Sequence, residues 1–334
     1  MDRRSRAHVA ILKALRGSEG ALSSARITAL LNDAKFDLSD RSVRLYLQQL
    51  AEEGLVEVGA RGATLTAAGA EELNAAQVLQ RVGSLAARIA RMTYLMGFDL
   101  PTCTGEVVVN MSLVSRDALA ACRDEFCAVF AKGLAMGNRM ALLAPGERLG
   151  DLVVAPGQVG VCTVCSITLN GVLLKHGIPI HSRFGGVLEV RDLKPQRFLD
   201  FIAYEGTSVD PLEVFILSGM TDYRSAVATG HGRVGASFRE IPPESRERVQ
   251  SLAERLARIG LGGFMAVGGD GEDLCGIPVT DGRAGAVVVG GLNPLSIIHE
   301  HGHPCRLAAL SGFLEFTRLF HYEELSQRLK TLSG

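Results

Sequence analysis

Apolar positions follow two different periods along this chain, and the change of period divides it. In the first fifty residues they recur every three or four positions, the spacing of one helix face. Residues 6–16 carry Val9, Ile11, Leu12 and Leu15. The run ARITALLN carries Ile27, Leu30 and Leu31 behind Ser23 or Ser24 as a cap, and DRSVRLYLQQL carries Val43, Leu47 and Leu50 behind Ser39, with Gly54 as its stop. Two short β runs follow, Leu55–Val58 and Ala63–Thr66, joined by the turn Gly59-Ala60-Arg61-Gly62. Three short helices and a two-stranded wing predict a winged helix-turn-helix. If Val43, Leu47 and Leu50 face the core, a 3.6-residue period puts Arg41, Leu45 and Gln48 on the far side and Arg44 on the flank. That face suits a DNA major groove, so Arg41, Ser42, Arg44 and Gln48 are candidate DNA contacts, with Arg61 at the wing tip against a phosphate. Residues 1–61 hold 10 Lys+Arg against 8 Asp+Glu, so charge alone leaves a protein-contact winged helix open.

From Thr66 to Arg91 the chain is Ala-rich and reads as one or two helices. Val78, Val82, Leu85 and Ile89 give an apolar stripe that can pair with a partner chain or dock on its own domain. The run FDLPTCTG, 98–105, breaks the pattern. Thereafter apolar alternation and helical spacing interchange, which predicts an α/β (α+β) domain. The expected layout is a winged helix over 1–70, a helical linker over 71–98, and a larger domain over 99–334.

That larger domain contains a repeat. The run GVCTVCSITLNGVLLKHGIPIHSRFGG, from Gly160, reappears as GAVVVGGLNPLSIIHEHGHP from Gly285. Gly160, His176, Gly177 and Pro179 map to Gly285, His301, Gly302 and Pro304, each 125 residues on. Gly137, Met140 and Gly146-Glu147 keep the same offset to Gly262, Met265 and Gly271-Glu272. The domain is therefore expected to be two internally duplicated units, about 105–190 and 232–316. Each has an opening strand, a long helix (about 116–132 and 243–259), a further strand, then a strand that turns directly into a helix. Phe184–Val190 and Leu310–Phe316 are predicted to close their own units, and Val214–Leu217 to form a bridging strand. The turn at Thr163 to Thr168, capped by Ser166 or Thr168, offers backbone N–H groups and a helix dipole, a seat for a carboxylate or phosphate.

Composition narrows the class without naming it. The formal net charge of −1 carries no whole-chain signature of nucleic-acid binding. No apolar run reaches the ~18 residues of a membrane span, and the basic start lacks a signal-peptide core, which predicts a cytoplasmic protein with no membrane partner. Seven irregularly spaced Cys argue against a disulfide framework. Cys162 and Cys165 sit at i and i+3 of a strand, on opposite faces, so a shared metal is not expected. His299, His301 and His303 tempt a metal reading, but His301 repeats His176, which favours a structural role; no metal or cofactor is expected. No acid–base–nucleophile set stands at recognisable spacing, so the expectation is not an enzyme and no catalytic residue is assigned.

The run LSDRSVRLYLQQLAEEGLVE with GARGATLTAAGAEEL resembles the winged helix of ribonuclease R-type proteins. The run VGVCTVCSITLNGVLLKHGIPIHSRFGGVLEV resembles the signature of the NrpR family of nitrogen-regulation repressors. The resemblance implies a homodimeric repressor that binds double-stranded operator DNA at nitrogen-assimilation genes, here with one effector domain. It implies release by 2-oxoglutarate, and some members act with a second regulator chain. A regulator answering to another small anionic metabolite, or an enzyme with an appended DNA module, stays open. For such a ligand the candidate residues are Thr163, Val164, Cys165, Ser166 and Asn170 at the turn and its helix, with Arg183 as a two-point carboxylate clamp and His176 and His181 as its partners.

Overall fold

The computed structural model describes residues 3–18, 20–33, 36, 38–73 and 84–332. The chain divides into two compact units at residues 82/83. The first holds α1 (Arg3–Arg16), α2 (Ser24–Asp33), α3 (Asp40–Glu52), the antiparallel hairpin β1 (Val56–Gly59) and β2 (Gly62–Leu65), and α4, described over 67–73. Ser39 caps α3 by accepting from the amide of Ser42, and Gly54 ends it at φ +74, a conformation that favours glycine. Ile11, Leu12, Ile27, Leu31, Val43, Leu47 and Leu50 form the core. Leu30, expected inside, is exposed, because only Ile27 and Leu31 lie on the inward face of α2.

The second unit begins with α5 (Ser84–Leu95), whose Leu85, Ile89 and Met92 are buried in the main core. The apolar stripe therefore docks on its own domain over its last two positions; Val78 and Val82 lie outside the described residues. Next come β3 (Glu106–Ser115), α6 (Arg116–Ala121), α7 (Arg123–Ala131), β4 (Arg139–Leu143), the tiny hairpin β5 (Arg148–Leu149) and β6 (Leu152–Val153), then β7 (Gln158–Val164) and α8 (Ile167–Lys175). The expected long helix is broken in two at Cys122. After β8 (His181–Arg191) and β9 (Lys194–Ala203) lie α9 (Pro211–Leu217) and α10 (Tyr223–Thr229). The second copy follows as β10 (Gly232–Ile241), α11 (Arg246–Arg258), β11 (Phe264–Asp270), β12 (Ala284–Val289), α12 (Asn293–Glu300), β13 (Cys305–Arg306), β14 (Gly312–Glu315), β15 (Phe320–His321) and α13 (Leu325–Thr331).

Apart from the β5–β6 hairpin, two antiparallel sheets hold these strands, and each takes strands from both copies. One runs β11-β12-β10-β8-β9; the other runs β13-β3-β7-β4-β15, with β14 also on β3. The strand after α8 thus crosses to the second copy's sheet, and the strands after α12 cross to the first. The expectation that each copy closes on itself is corrected. Local alternation fixes that a strand exists, not which neighbour it pairs with. Val214–Leu217 is corrected too: it ends a helix, not a strand. Asp210 caps that helix by accepting from the amide of Leu212, and Pro211 occupies its first position.

Candidate functional site

The exchange of strands brings the two strand-to-helix turns together. Gly291, in the second turn, lies so close to the first that a methyl group there would strike the carbonyl oxygen of Val164 and stand 3.2 Å from Cα of Cys165. Between the turns is a space of about 20 Å³, room for about one water, bounded by Asn110, Cys165, Ser166, Tyr204, Gly291 and Leu310. Tyr204 and Ile89 also line a larger cavity of about 330 Å³ between α5 and the start of β8. That size falls within the ~300–1,000 Å³ range of small-molecule sites.

Most amides expected to hold an anion at the first turn are already used. The amide of Cys165 donates to Val108 O, those of Thr168 and Leu169 fold back onto Cys165 O and Ser166 O, and that of Ile167 points at the Cys165 sulfur. Ser166 sits at the N-cap but makes no side-chain cap, while Thr168 bonds Val108 at both oxygen and amide. Thr163 and Val164 are buried, and the Thr163 hydroxyl has no partner. Burial pushes the Cys165 thiol up to about 12, which keeps it a neutral packed group.

The cation at this place is one that sequence reasoning missed. Arg239, on β10, has no exposed surface. Alternation turns Ser237 and Arg239 toward α8 and sends Phe238 and Glu240 to the other face of the sheet. Its Nη1 donates to Ser166 O at 3.0 Å and to Asn170 Oδ1. Its Nε and Nη2 have no partner, and no acidic side chain bonds it among the described residues. Desolvation lowers its pKa to about 10, so it stays charged at neutral pH. From Asn170 a chain continues: its Nδ2 donates to Ser182 Oγ at 3.0 Å. Asn170 and Ser182 line the 330 Å³ cavity. Having accepted one hydrogen bond, Ser182 keeps its own hydroxyl hydrogen for an acceptor in that space. The signal available in the sequence was a charged residue at an inward strand position in ASFREI.

Asn170 is therefore central, while Arg183 and His176 are not brought to the turn. Arg183 occupies a bulge, since Phe238 pairs with Phe184 and Arg239 with Ser182. It lies on the far face, bonded to Glu240 at 2.9 Å and stacked over Phe238. His176 stands at the opposite end of α8, about 13 Å away at 1.5 Å per residue, with its Nδ1 2.8 Å from Val172 O. His301, its repeat, pairs with Glu125 at 3.0 Å. No cluster of three metal-ligating side chains occurs among the described residues.

Beside the cavity lies an acidic pair. Asp210 and Glu213 stand near Arg88 of α5, whose Nη2 donates to Leu310 O at 2.7 Å. Desolvation raises Asp210 to about 6 and Glu213 to about 7, against the lowering effect of their backbone hydrogen bonds and of Arg88.

In the first unit a groove of about 480 Å³ runs between α3 and the wing, lined by Ser24, Arg44, Leu47, Gln48, Val58 and Arg61. Arg41 and Arg61 are exposed. Arg44 is engaged by Asp40 at 2.7 Å and by Ser24 Oγ, and Gln48 donates to Glu52. Ser42 is tied to the Ser39 cap through its amide and its hydroxyl.

Residues 82–321 match the NrpR regulatory domains 1 and 2, and residues 9–73 the ribonuclease R winged-helix domain. The chain belongs to the NrpR family. It is 32% identical over 309 residues to the global nitrogen regulator NrpRI of Methanosarcina mazei, covering 92% of this chain and 95% of that one. It is 30% identical to global nitrogen regulator NrpR of Methanococcus maripaludis, covering 93% of this chain but 54% of that longer protein. The crystal structure of a nitrogen repressor-like protein from Methanococcus jannaschii aligns with a TM-score of 0.59 and 28% identity, over 72% of this chain and 98% of that one. This NrpR-family chain thus joins a winged helix to a regulatory domain, the composition of a transcriptional regulator of nitrogen genes. No helix among the described residues is long and apolar enough to cross a membrane.

Proposed function

We propose that the chain is a cytoplasmic repressor of nitrogen-assimilation genes that binds double-stranded operator DNA as a homodimer and is released by 2-oxoglutarate. A second regulator chain of the same family is a further partner of this reading. The carrying observation is Arg239, a fully buried guanidinium with two unpartnered nitrogens and, among the described residues, no carboxylate paired with it. A buried charge without a counter-ion is costly, and an anionic ligand next to it offsets that cost. The Arg239–Asn170–Ser182 chain is polarised in one direction and ends in a donor, which suits a carboxylate. DNA binding is supported by the exposed Arg41 on α3 and by the exposed Arg61, which lines the groove between α3 and the wing.

Linkage sets what must be seen. A ligand that releases DNA binds the free protein better, and DNA lowers ligand affinity by the same factor, ~5- to 150-fold for couplings of ~1–3 kcal/mol. The test is a mobility shift on the chain's own upstream region, with and without millimolar 2-oxoglutarate, beside glutamate and succinate. A shift insensitive to all three overturns the effector assignment. Release by succinate or glutamate alone keeps an anion-responsive regulator and replaces the ligand.

A further inference from the structure

The face of α5 that closes the 330 Å³ cavity is made by Ala86, Ile89, Ala90 and Thr93, spaced i, i+3, i+4 and i+7. Three of these are apolar, and the two alanines keep the space open. The fourth carries a hydroxyl. A threonine inside a helix ordinarily turns its hydroxyl back to the carbonyl four residues earlier. Thr93 does not: its Oγ1 is buried and has no hydrogen-bond partner. A buried hydroxyl without a partner is unfavourable, and Thr93 lines a cavity whose other wall ends in the Ser182 donor; a turn about χ1 exchanges its methyl and hydroxyl and presents the hydroxyl to that space.

Resting on the reading of the cavity as an effector site, we propose that Thr93 is a ligand contact, so that a bound dicarboxylate spans from Ser182 on β8 to α5. One carboxylate lies at the Ser182–Asn170 end, in the field of Arg239. The distal polar end accepts from Thr93. Glu205, which also lines the cavity, is exposed, and its carboxylate lies 3.5 Å from the His181 ring. The consequence is directional. α5 is the first described element after the winged-helix unit, and it is seated on the effector core by Arg88 on Leu310 O and by the amide of Leu85 on Thr207 O. A ligand that bridges β8 and α5 tightens that seat, and so reaches the segment leading back to the DNA-binding unit.

The test uses the full chain with 2-oxoglutarate as the probe. Calorimetry compares the wild type with Thr93→Val, which keeps the shape and removes the hydroxyl, and with Thr93→Ser, which restores it. Hydrogen exchange of residues 84–95 is followed with and without ligand. Because the hydroxyl has no protein partner, Thr93→Val is expected to fold and to bind operator DNA as the wild type does. Its 2-oxoglutarate affinity is expected to fall about tenfold or more, the scale of a hydrogen bond to a charged group, with Ser largely restoring it. Ligand is expected to slow exchange in 84–95 in the wild type and not in Thr93→Val. Equal affinity and equal protection in wild type and Thr93→Val overturn the role of Thr93 while leaving the effector site standing. No binding by the wild type overturns the effector site itself.

Discussion

Replacing Arg239 with methionine separates the cost of the buried cation from its use. The pKa drop from 12.5 to about 10 corresponds to ~3 kcal/mol of disfavour for the charged form in the ligand-free protein. Methionine removes that penalty and fills much of the same volume. It also strips a donor from Ser166 O and Asn170 Oδ1, at ~1–3 kcal/mol for each acceptor left unsatisfied. The two effects offset in large part, so the ligand-free variant is expected between ~1 kcal/mol more stable and ~3 kcal/mol less stable than wild type, a melting shift of at most about 12 °C at ~2–4 °C per kcal/mol. The ligand response is different. At a hundred times Kd a ligand stabilises its host by ~2.7 kcal/mol, and that gain should vanish in Arg239→Met. Thermal unfolding with and without 2-oxoglutarate reads both quantities in one experiment. An unchanged ligand shift in Arg239→Met refutes the site, and a collapse of the ligand-free fold would mean that the guanidinium is needed for structure instead.

Further substitutions probe the rest of the molecule. Asp210 and Glu213 have folded pKa values raised to about 6 and 7, so their contribution is full below the unfolded values near 4 and is lost as pH rises through 6 and 7. The effector unit should therefore lose stability between about pH 4 and pH 7, and Asp210→Asn with Glu213→Gln, which keeps a competent cap, should flatten that slope; an unaltered pH–stability curve contradicts it. Arg41→Ala should weaken operator binding by ~1–3 kcal/mol, with Arg44→Ala costing less because Asp40 already holds that guanidinium. Arg61→Ala should act alike on all sequences and lower the salt slope by about one, as titration at several salt concentrations would show. Gly291→Ala should destabilise the effector unit by ~1–3 kcal/mol through overpacking against the first turn, measurable by denaturant midpoint.

The winged helix was legible because each helix carries its own apolar stripe within a dozen residues, α2 and α3 with serine caps as well, and those local signals agree with the fold. The duplication was legible from one offset repeated at many residues. What local pattern does not carry is pairing, so the exchange of β8 against β13 and β14 stayed hidden, as did the bulge that turns Arg183 away from the turn. The run VFIL in α9 reads equally as strand or helix by periodicity, and the Asp210-Pro211 start that decides it was passed over. Arg239 was missed for a related reason: a lone arginine in a strand looks like surface until its neighbours in space are known.

The strand exchange also bears on how such a site can act as a switch. Had each copy closed on itself, a ligand between the turns would sit at an interface between two separable bodies, and binding could simply pull them together. Here β8 leaves α8 and joins β10, so the helix that holds Asn170 and the strand that holds Arg239 are tied through Ser182 within one ladder. Likewise the segment after α12 returns to β3 and brings Leu310 onto Asn110 Oδ1. One core cluster runs through both sheets. Closure of the two copies as rigid halves would break these ladders, at a cost well beyond the ~1–3 kcal/mol typical of allosteric coupling. The parts that can respond within that limit are elements laid on the frame and not woven into it. α5 is such an element: it contributes no strand, it is fixed by a few side chains and the Arg88 contact, and it walls the cavity directly. On the proposed reading, the interlocked sheets hold the anion site rigid, and the helix beside them is left to report whether it is filled.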